Sequence, residues 1–379
     1  MKRDRSKIVG LILAAGYSSR MGEFKPLLPV GDSTAIERCV GSLRDAGIED
    51  VRVVVGWKAE ELIPHLHRLK AGTVLNPAFA DGMYSSVMAG VSYLPPETQA
   101  FVLLPVDTPL VKPRTVRELV QRFLESEATV VYPRFLDRRG HPPVVSTSCL
   151  SGAPASDPPA GLRSVLSRYE DSALVVDVVD QGTVMDMDTP EDYEDLRRYC
   201  SREGVPTESE CEALLAVRRL PERVIQHSRK VAKVALRIAS LLQQNGLALD
   251  LDIVLAAALL HDIARDLPNH AAEGARIVSE IGYPRVAACI SRHMDLEPDR
   301  VHELAEDQLV YLADKLVKED LVVSIQERLA LTAARHAGQS EALDSATARL
   351  RDAEIILDQV AGKLGTSADR IVADLGGAE

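Results

Sequence analysis

The chain is poor in aromatic residues, which make up 4% of its 379 positions, and it has no basic excess, with a formal net charge of −12 at pH 7. A broad nucleic-acid surface needs clustered Lys and Arg to neutralise phosphates, so this balance excludes one and leaves room only for local basic pockets. The five cysteines, Cys39, Cys149, Cys200, Cys211 and Cys289, are scattered and never spaced as CxxC. That pattern excludes a zinc ribbon or a redox motif, and it fits a reducing compartment better than a disulfide framework; a cytoplasmic location is expected. No apolar run approaches the roughly 20 residues that a membrane span needs, so no membrane partner is expected either. The opening MKRDRSK followed by IVGLILAAG has the outline of a signal peptide. The same apolar segment serves as a buried first strand with a glycine loop directly behind it, and that is the reading taken.

What is present points to two domains of different class. At 379 residues the chain exceeds the size at which one hydrophobic core stops growing. From residue 8 to about 190, short β-rich runs (IVGLILA, VRVVVG, FVLLPV, TVVYP, LVVDVV) alternate with helical segments such as IERCVGSLRDAG and RTVRELVQRFLESE. Such alternation predicts parallel βαβ units. After residue 222 the apolar residues recur at three- and four-residue intervals, in RVIQHSRKVAKVALRIASLLQQ, DIVLAAALLHDIARD, HAAEGARIVSEIG, RVAACISRHM and HELAEDQLVYLADKLV, which predicts helices. The expected organisation is an α/β domain over 1–200, a linker over 201–222 and a helical bundle over 223–379, with SGAPASDPPAG (151–161) as loop.

Residues 13–25, LAAGYSSRMGEFK, follow the first apolar run without a break. An open α/β sheet binds ligands beyond the carboxyl ends of its strands, and Gly16, Gly22, Arg20 and Lys25 in that place suit an anion. Their spacing fits neither GxxxxGK[ST] nor GxGxxG. An enzyme that joins two phosphate-bearing reactants needs backbone N–H groups, fixed cations and usually Mg²⁺ on carboxylates. Asp107, at the end of FVLLPV, and Asp186 and Asp188, in MDMDTPEDY, supply the carboxylates.

The ordered set LAAGYSSRMGEFKPLLP, NPAFADGMYSSVMAG, PVDTPLV, RRGHPP and DMDTPEDY, over about residues 7–198, resembles the MobA-like nucleotidyltransferases. Within these it is most similar to the molybdenum cofactor cytidylyltransferases. The resemblance implies a Rossmann-like α/β fold in which Leu13, Ala14, Ala15 and Gly16 contact the nucleotide. It further implies that Arg20 and Lys25 hold phosphates, that Asp107 and Asp188 hold Mg²⁺, and that Asn76, Gly82, Ser85 and Ser86 contact nucleotide or pterin. The implied reaction is attack by the terminal phosphate of molybdenum cofactor on the α-phosphorus of CTP, releasing pyrophosphate, with Arg20, Lys25 and Asp107 as the catalytic groups. LAAG in place of the LAGG of guanylyl-transferring relatives implies CTP, and this rests on Ala15 alone. Ser85 and Ser86 also suit a cap for the helix SVMAGV, and Gly140, His141 and Pro142 suit either the cofactor side, as the resemblance implies, or a turn before the strand VVS. Where the family continues with GDxGAR this chain has SDPPAGLRSVL, which keeps Gly161 and Arg163 and leaves the acceptor open.

In the second half His227, the adjacent His261 and Asp262, then His270, His293 and Asp314 give the order H…HD…H…H…D, which resembles the HD-domain metal-dependent phosphohydrolases. Imidazole and carboxylate groups suit Mn, Fe, Zn or Mg, and separate helices of a bundle can aim them at one interior point. His227, His261, Asp262 and Asp314 form the single-metal set by resemblance, with Asp262 also a catalytic group. His270 and His293 match the extra ligands of binuclear members, particularly those that hydrolyse symmetric diadenosine tetraphosphate. Arg265 suits either a substrate phosphate or a solvated ion pair, and His302 is expected at the surface. Residues 321–379 read as additional helices that pack on the bundle or serve a dimer contact.

The fold class expected is therefore a Rossmann-like α/β nucleotidyltransferase domain followed by an all-α HD-domain bundle. Mg²⁺ is expected in the first and one or two divalent metals in the second. CTP and molybdenum cofactor are the implied substrates, and an apo-molybdoenzyme or its cofactor chaperone the implied partner. Two alternatives remain: a transferase for a sugar phosphate or polyol phosphate, and a cofactor delivery protein whose HD bundle is regulatory.

Overall fold

The computed structural model describes residues 3–153, 158, 161–202, 204–297, 301–335 and 340–377. Within the predicted loop 151–161, residues 154–157 and 159–160 lie outside the described set. The chain divides into two compact units, Met1–Arg202 and Glu203–Glu379.

The first unit is built on an eight-stranded sheet. Its strands are β1 (Ile8–Ala14), β2 (Val51–Val55), β3 (Gly72–Leu75), β4 (Ala100–Pro105), β5 (Val130–Phe135), β6 (Arg138–Arg139), β7 (Val144–Ser146) and β8 (Ala173–Asp177). Their order is β8-β5-β7-β4-β1-β2-β3, with β6 paired to β5. β1 is buried at every residue, as expected of a central strand covered on both faces, and it runs parallel to both β2 and β4. Leu11, Leu13, Val54, Phe101 and Leu103 enter one core cluster with Tyr84 and Val87. The all-parallel expectation fails at two strands: β6 runs antiparallel to β5, and β7 runs antiparallel to both β4 and β5. The short connection through GHPP returns the chain directly, whereas a parallel partner would need a long crossover.

Helices α1 (Ala35–Asp45), α2 (Ala59–Arg68), α3 (Met83–Ser92), α4 (Pro113–Glu125) and α5 (Pro190–Ser201) complete this unit. Their starts follow from local chemistry. Thr34 caps α1 and Thr189 caps α5, each in a reciprocal capping box, with Glu37 and with Asp192 respectively. The α5 cap is the TPED of the last motif, so helix initiation itself fixes where Asp188 stands.

The second unit consists of α6 (Glu208–Arg218), α7 (Glu222–Gln244), α8 (Leu251–Leu260), α9 (His270–Glu280), α10 (Pro284–Ser291), α11 (Glu306–Leu316), α12 (Ile325–Arg335), α13 (Ser340–Leu364) and α14 (Ala368–Gly376). The stretch expected as linker over 201–222 holds α6, which starts at a Thr207 and Glu210 capping box and buries Cys211, Leu214 and Leu215. A small hairpin, Val317–Lys318 with Leu321–Val322, follows α11 and had no counterpart in the sequence reading. α8 is apolar almost all round and is buried from Ile253 through Leu260 apart from Leu255, so it forms the centre of the bundle. Among the described residues no helix is long and apolar enough to cross a membrane.

Candidate active sites

Beyond the carboxyl end of β1 the chain closes a tight turn in which the N–H groups of Met21 and Gly22 both donate to the Ser18 carbonyl, at 3.1 and 3.0 Å. Gly22 has φ +77°, a conformation only glycine adopts without strain. This turn delivers Lys25, which is buried at the head of a short 3₁₀ segment. Its ammonium donates to Asp188 at 2.6 Å and stands 3.8 Å from Asp107, while Arg20 reaches the other Asp188 oxygen at 2.8 Å. The two acidic motifs are joined through the backbone, since the Met187 N–H donates to the Asp107 carbonyl at 3.0 Å. Burial raises the Asp107 carboxyl above the usual range, Lys25 opposes the rise, and Asp188 and Asp186 add to it. Asp188 is held below that range, first by its hydrogen bond to Lys25. A half-buried carboxyl crowded by two other acids favours an added cation. The pair suits Mg²⁺ bound through one or two carboxylates and completed by substrate phosphates; among the described residues no third protein ligand joins them.

Other predicted contacts have structural duties. Leu13, Ala14 and Ala15 turn their side chains into the core, and the Ala15 carbonyl accepts the Trp57 N–H at 3.1 Å. Ala15, on which the choice of base rests, is 3% exposed, so its influence runs through the backbone. Asn76 is buried; its amide donates to Ser85 and Ser86 at 2.9 and 3.0 Å and its carbonyl accepts from the Ala78 N–H. These three side chains are occupied with one another and hold the loop that leads through Gly82 into α3. The helix starts at Met83, with Gly82 at its N-cap and no side-chain cap, so the capping alternative for the serines does not describe them. In GHPP, the His141 N–H donates to the Thr183 carbonyl at 2.7 Å, which packs this turn against the QGTV segment just before DMDTP. Burial pushes the His141 imidazole below its usual value, against the pull of Asp186. Gly161 and Arg163 start a short helix, and Arg163 is exposed.

A feature the sequence reading missed lies beside Gly16. Tyr17 and Trp57 are 50% and 40% exposed, with ring centroids 5.4 Å apart, and Tyr17 lies 5.2 Å from the Phe79 ring. A Cβ on Gly56 would come within 2.6 Å of Phe79 and 2.9 Å of the Ala15 carbonyl, so glycine is what lets these loops meet. The aromatics come from three separate loops at strand ends, a proximity with no signature in local sequence.

In the second unit the predicted ligands converge. His227 comes from α7, His261 and Asp262 follow α8, His270 opens α9, His293 follows α10 and Asp314 lies on α11. Two groups, His227 with His261 and Asp262, and Asp262 with His270 and His293, each bring their ligand atoms within 4.8 Å of one another. Asp314 lies 3.1 Å from His227 Nε2 and 3.7 Å from His261 Nε2. Three of the rings are turned by backbone: Nδ1 of His227, His261 and His293 donates to the carbonyls of Glu319, Ala258 and Ile290 at 2.8 to 2.9 Å. Anchoring one imidazole nitrogen in this way points the other at a metal. Among the described residues His261 Nε2 is buried with no hydrogen-bond partner, and the Nε2 atoms of His270 and His293 face each other at 3.2 Å; metal ions would satisfy both arrangements. Burial pushes His261 down to about 4, which keeps it a neutral ligand. Burial alone would raise Asp262, but His261, His293 and Arg265 hold it low, and Lys315 with His227 does the same for Asp314. Arg265 lies 3.4 Å from Asp262, and His302 is exposed, as expected.

Comparison with known proteins agrees with this division. Residues 10–173 match the MobA-like NTP transferase domain and residues 224–319 the HD domain. The chain is 32% identical to the nicotine blue oxidoreductase of Paenarthrobacter nicotinovorans, over 50% of this chain and 95% of that protein. It is 27% identical to the molybdenum cofactor cytidylyltransferase of Escherichia coli (strain K12), over 50% of this chain and 94% of that one. It is 36% identical to the bifunctional IPC transferase and DIPP synthase of Rubrobacter xylanophilus, where it spans 31% of its own length and only 27% of the relative.

Proposed function

The chain belongs to the MobA-like NTP transferases and carries an HD domain behind that unit, and on this premise we propose that the first unit transfers CMP from CTP to the terminal phosphate of molybdenum cofactor. The observation that carries the reading is Lys25, buried between Asp188 and Asp107 at the mouth of the glycine loop. A fixed cation there, with Arg20 beside it, offsets the repulsion between two phosphate-bearing reactants. The acceptor phosphate oxygen bonds to the α-phosphorus as the bond to the bridging oxygen breaks, and the electron pair leaves with pyrophosphate. No protein nucleophile is needed; the residues position and neutralise. Asp107 and Asp188 would hold Mg²⁺, which when bound supplies further charge neutralisation.

The second unit is read as a metal-dependent phosphohydrolase for a nucleotide or phosphate ester. Its support is the convergence of four imidazoles on Asp262 and Asp314. When bound, one or two divalent ions would supply Lewis acidity there.

A second reading of the transferase, with a sugar phosphate or polyol phosphate as acceptor, is favoured by Asn76, Ser85 and Ser86. Their mutual hydrogen bonds give these side chains a structural duty, which weakens the support that NPAFADGMYSS lends to a pterin acceptor. Incubating the protein with each NTP and with molybdenum cofactor or sugar phosphates, while following pyrophosphate, separates the two. Turnover with molybdenum cofactor and CTP is expected; none with either CTP or GTP sinks the first reading. Asp262→Asn is expected to abolish ADP release from diadenosine tetraphosphate, or phosphate release from nucleotides, and to leave pyrophosphate release intact. A delivery protein would instead tolerate loss of both Asp107 and Asp262.

A further inference from the structure

The helices after residue 320 are not bystanders to the metal ligands. A cavity of about 770 Å³ is lined by His227, Asp262 and Asp314 together with Arg328 and Thr332 from α12 and Arg349 from α13. These last residues lie beyond the stretch that matches the HD domain, which ends at 319. The volume lies within the range of sites that hold a molecule of nucleotide size.

Four arginines line this cavity; Arg223 is exposed, and the other three differ in how they are held. Arg349 makes a two-pronged pair with Asp295, at 2.6 and 3.0 Å, and Arg265 lies 3.4 Å from Asp262. Arg328 is half-buried, donates to the Val317 carbonyl at 2.8 Å, and has no carboxylate within ion-pair distance among the described residues. Burial pushes its guanidinium below the usual value, and only the more distant Asp314 opposes this. A partly desolvated cation without a counter-ion is costly, and proteins keep such a group where an anion arrives to pair with it. Guanidinium offers a planar fork that suits two phosphate oxygens at once.

We propose that Arg328 is a substrate-binding residue of the second site. It holds a phosphate group of the substrate in the cavity that Asp262 and Asp314 also line, so that α12 completes a pocket the HD helices leave open. The assignment rests on the phosphohydrolase reading for its purpose, and its test does not require hydrolysis.

Inorganic phosphate is titrated calorimetrically into the full chain carrying Lys25→Ala, which weakens phosphate binding at the glycine loop, with and without a change at Arg328. Arg328→Gln, which removes the charge and keeps a donor for Val317, is expected to weaken phosphate binding at least tenfold, as loss of a charge-assisted pair should. Arg328→Lys keeps the charge and is expected to fall between. Without phosphate, the Gln variant is expected to melt no lower than its parent, because an unpaired half-buried charge has been removed. Equal phosphate affinities for parent and Gln variant overturn the proposal. So does a lowered melting point with unchanged affinity, since that is the behaviour of a packing residue. Failure of the phosphohydrolase reading shows separately, as absence of ester hydrolysis by a metal-loaded parent that still binds phosphate through Arg328.

Discussion

Replacing Lys25 by Met removes the one buried cation between Asp107 and Asp188 and leaves the apolar stem in place. Breaking a fully buried ion pair from one side costs about 3–5 kcal/mol, because the surviving charge is stranded. The side chains of Asp107 and Asp188 are still 28% and 26% exposed, and Arg20 remains on Asp188, so the cost here falls to roughly 1–2 kcal/mol. The pH dependence has a definite sign. Without Lys25, burial and the neighbouring acids raise Asp107 further, so the penalty is full at neutral pH and is relieved as acid protonates that carboxyl. Asp188, lowered by its bond to Lys25, gives stability that is fully present above the unfolded carboxylate value of about 4 and is lost below it, as the pH falls through the lowered folded value, so it outlasts the Asp107 penalty on acidification. Trp57 is the sole tryptophan and lies in the first unit, so urea unfolding followed by its fluorescence reads that unit alone. Lys25→Met with Asp188→Asn should recover part of the loss through their coupling. Pyrophosphate release should fall by about 10²–10³, the usual effect of losing one preorganised charge donor. A Lys25→Met protein with unchanged unfolding at pH 7 and undiminished turnover would refute the reasoning.

Three further outcomes are expected. CTP binding should quench Trp57 emission, since the ring sits exposed beside the glycine loop, and Trp57→Leu should weaken nucleotide affinity; saturating nucleotide that leaves the emission unchanged removes the aromatics from the site. Gly140→Ala should destabilise the first unit by about 1–3 kcal/mol in urea unfolding, because its Cβ would meet the Thr183 carbonyl at 2.3 Å and backbone cannot step aside; a neutral result shows that the GHPP turn is looser than drawn. Chelation of metal-loaded protein should lower the melting temperature of the second unit, and the shift should vanish in His261→Ala, whose ring is wholly buried among the ligands.

The two architectures were legible because each is written in a periodicity: short β-rich runs with intervening helices, then three-and-four spacing. β3, by contrast, is a four-residue edge strand in which only Val74 is buried, too little contrast to announce itself. α6 was hidden by its charged, punctuated surroundings, although the Thr207 and Glu210 capping box was readable in TESE. The ligand set was visible as residue types in order. What sequence withheld was any proximity between loops far apart in the chain. Tyr17, Trp57 and Phe79 meet only because three parallel strands end at one edge, and Arg328 joins the lining of the second unit's cavity from a helix about a hundred residues after His227. Asn76, Ser85 and Ser86 show the reverse case, in which residues of a suggestive motif also hydrogen-bond to one another.

Asp262 belongs to both ligand triads, and its two oxygens face different partners: Oδ2 lies 3.7 Å from His261, while Oδ1 lies 3.4 Å from His270 and 3.7 Å from His293. Ions seated in the two triads would therefore share one carboxylate and could not titrate as independent sites. Each would alter the charge and the orientation that the other finds, and by thermodynamic reciprocity the factor by which the first changes the affinity of the second is the factor by which the second changes the first. Metal occupancy of this unit is then a single linked equilibrium, with Asp262 as the hinge between its two halves.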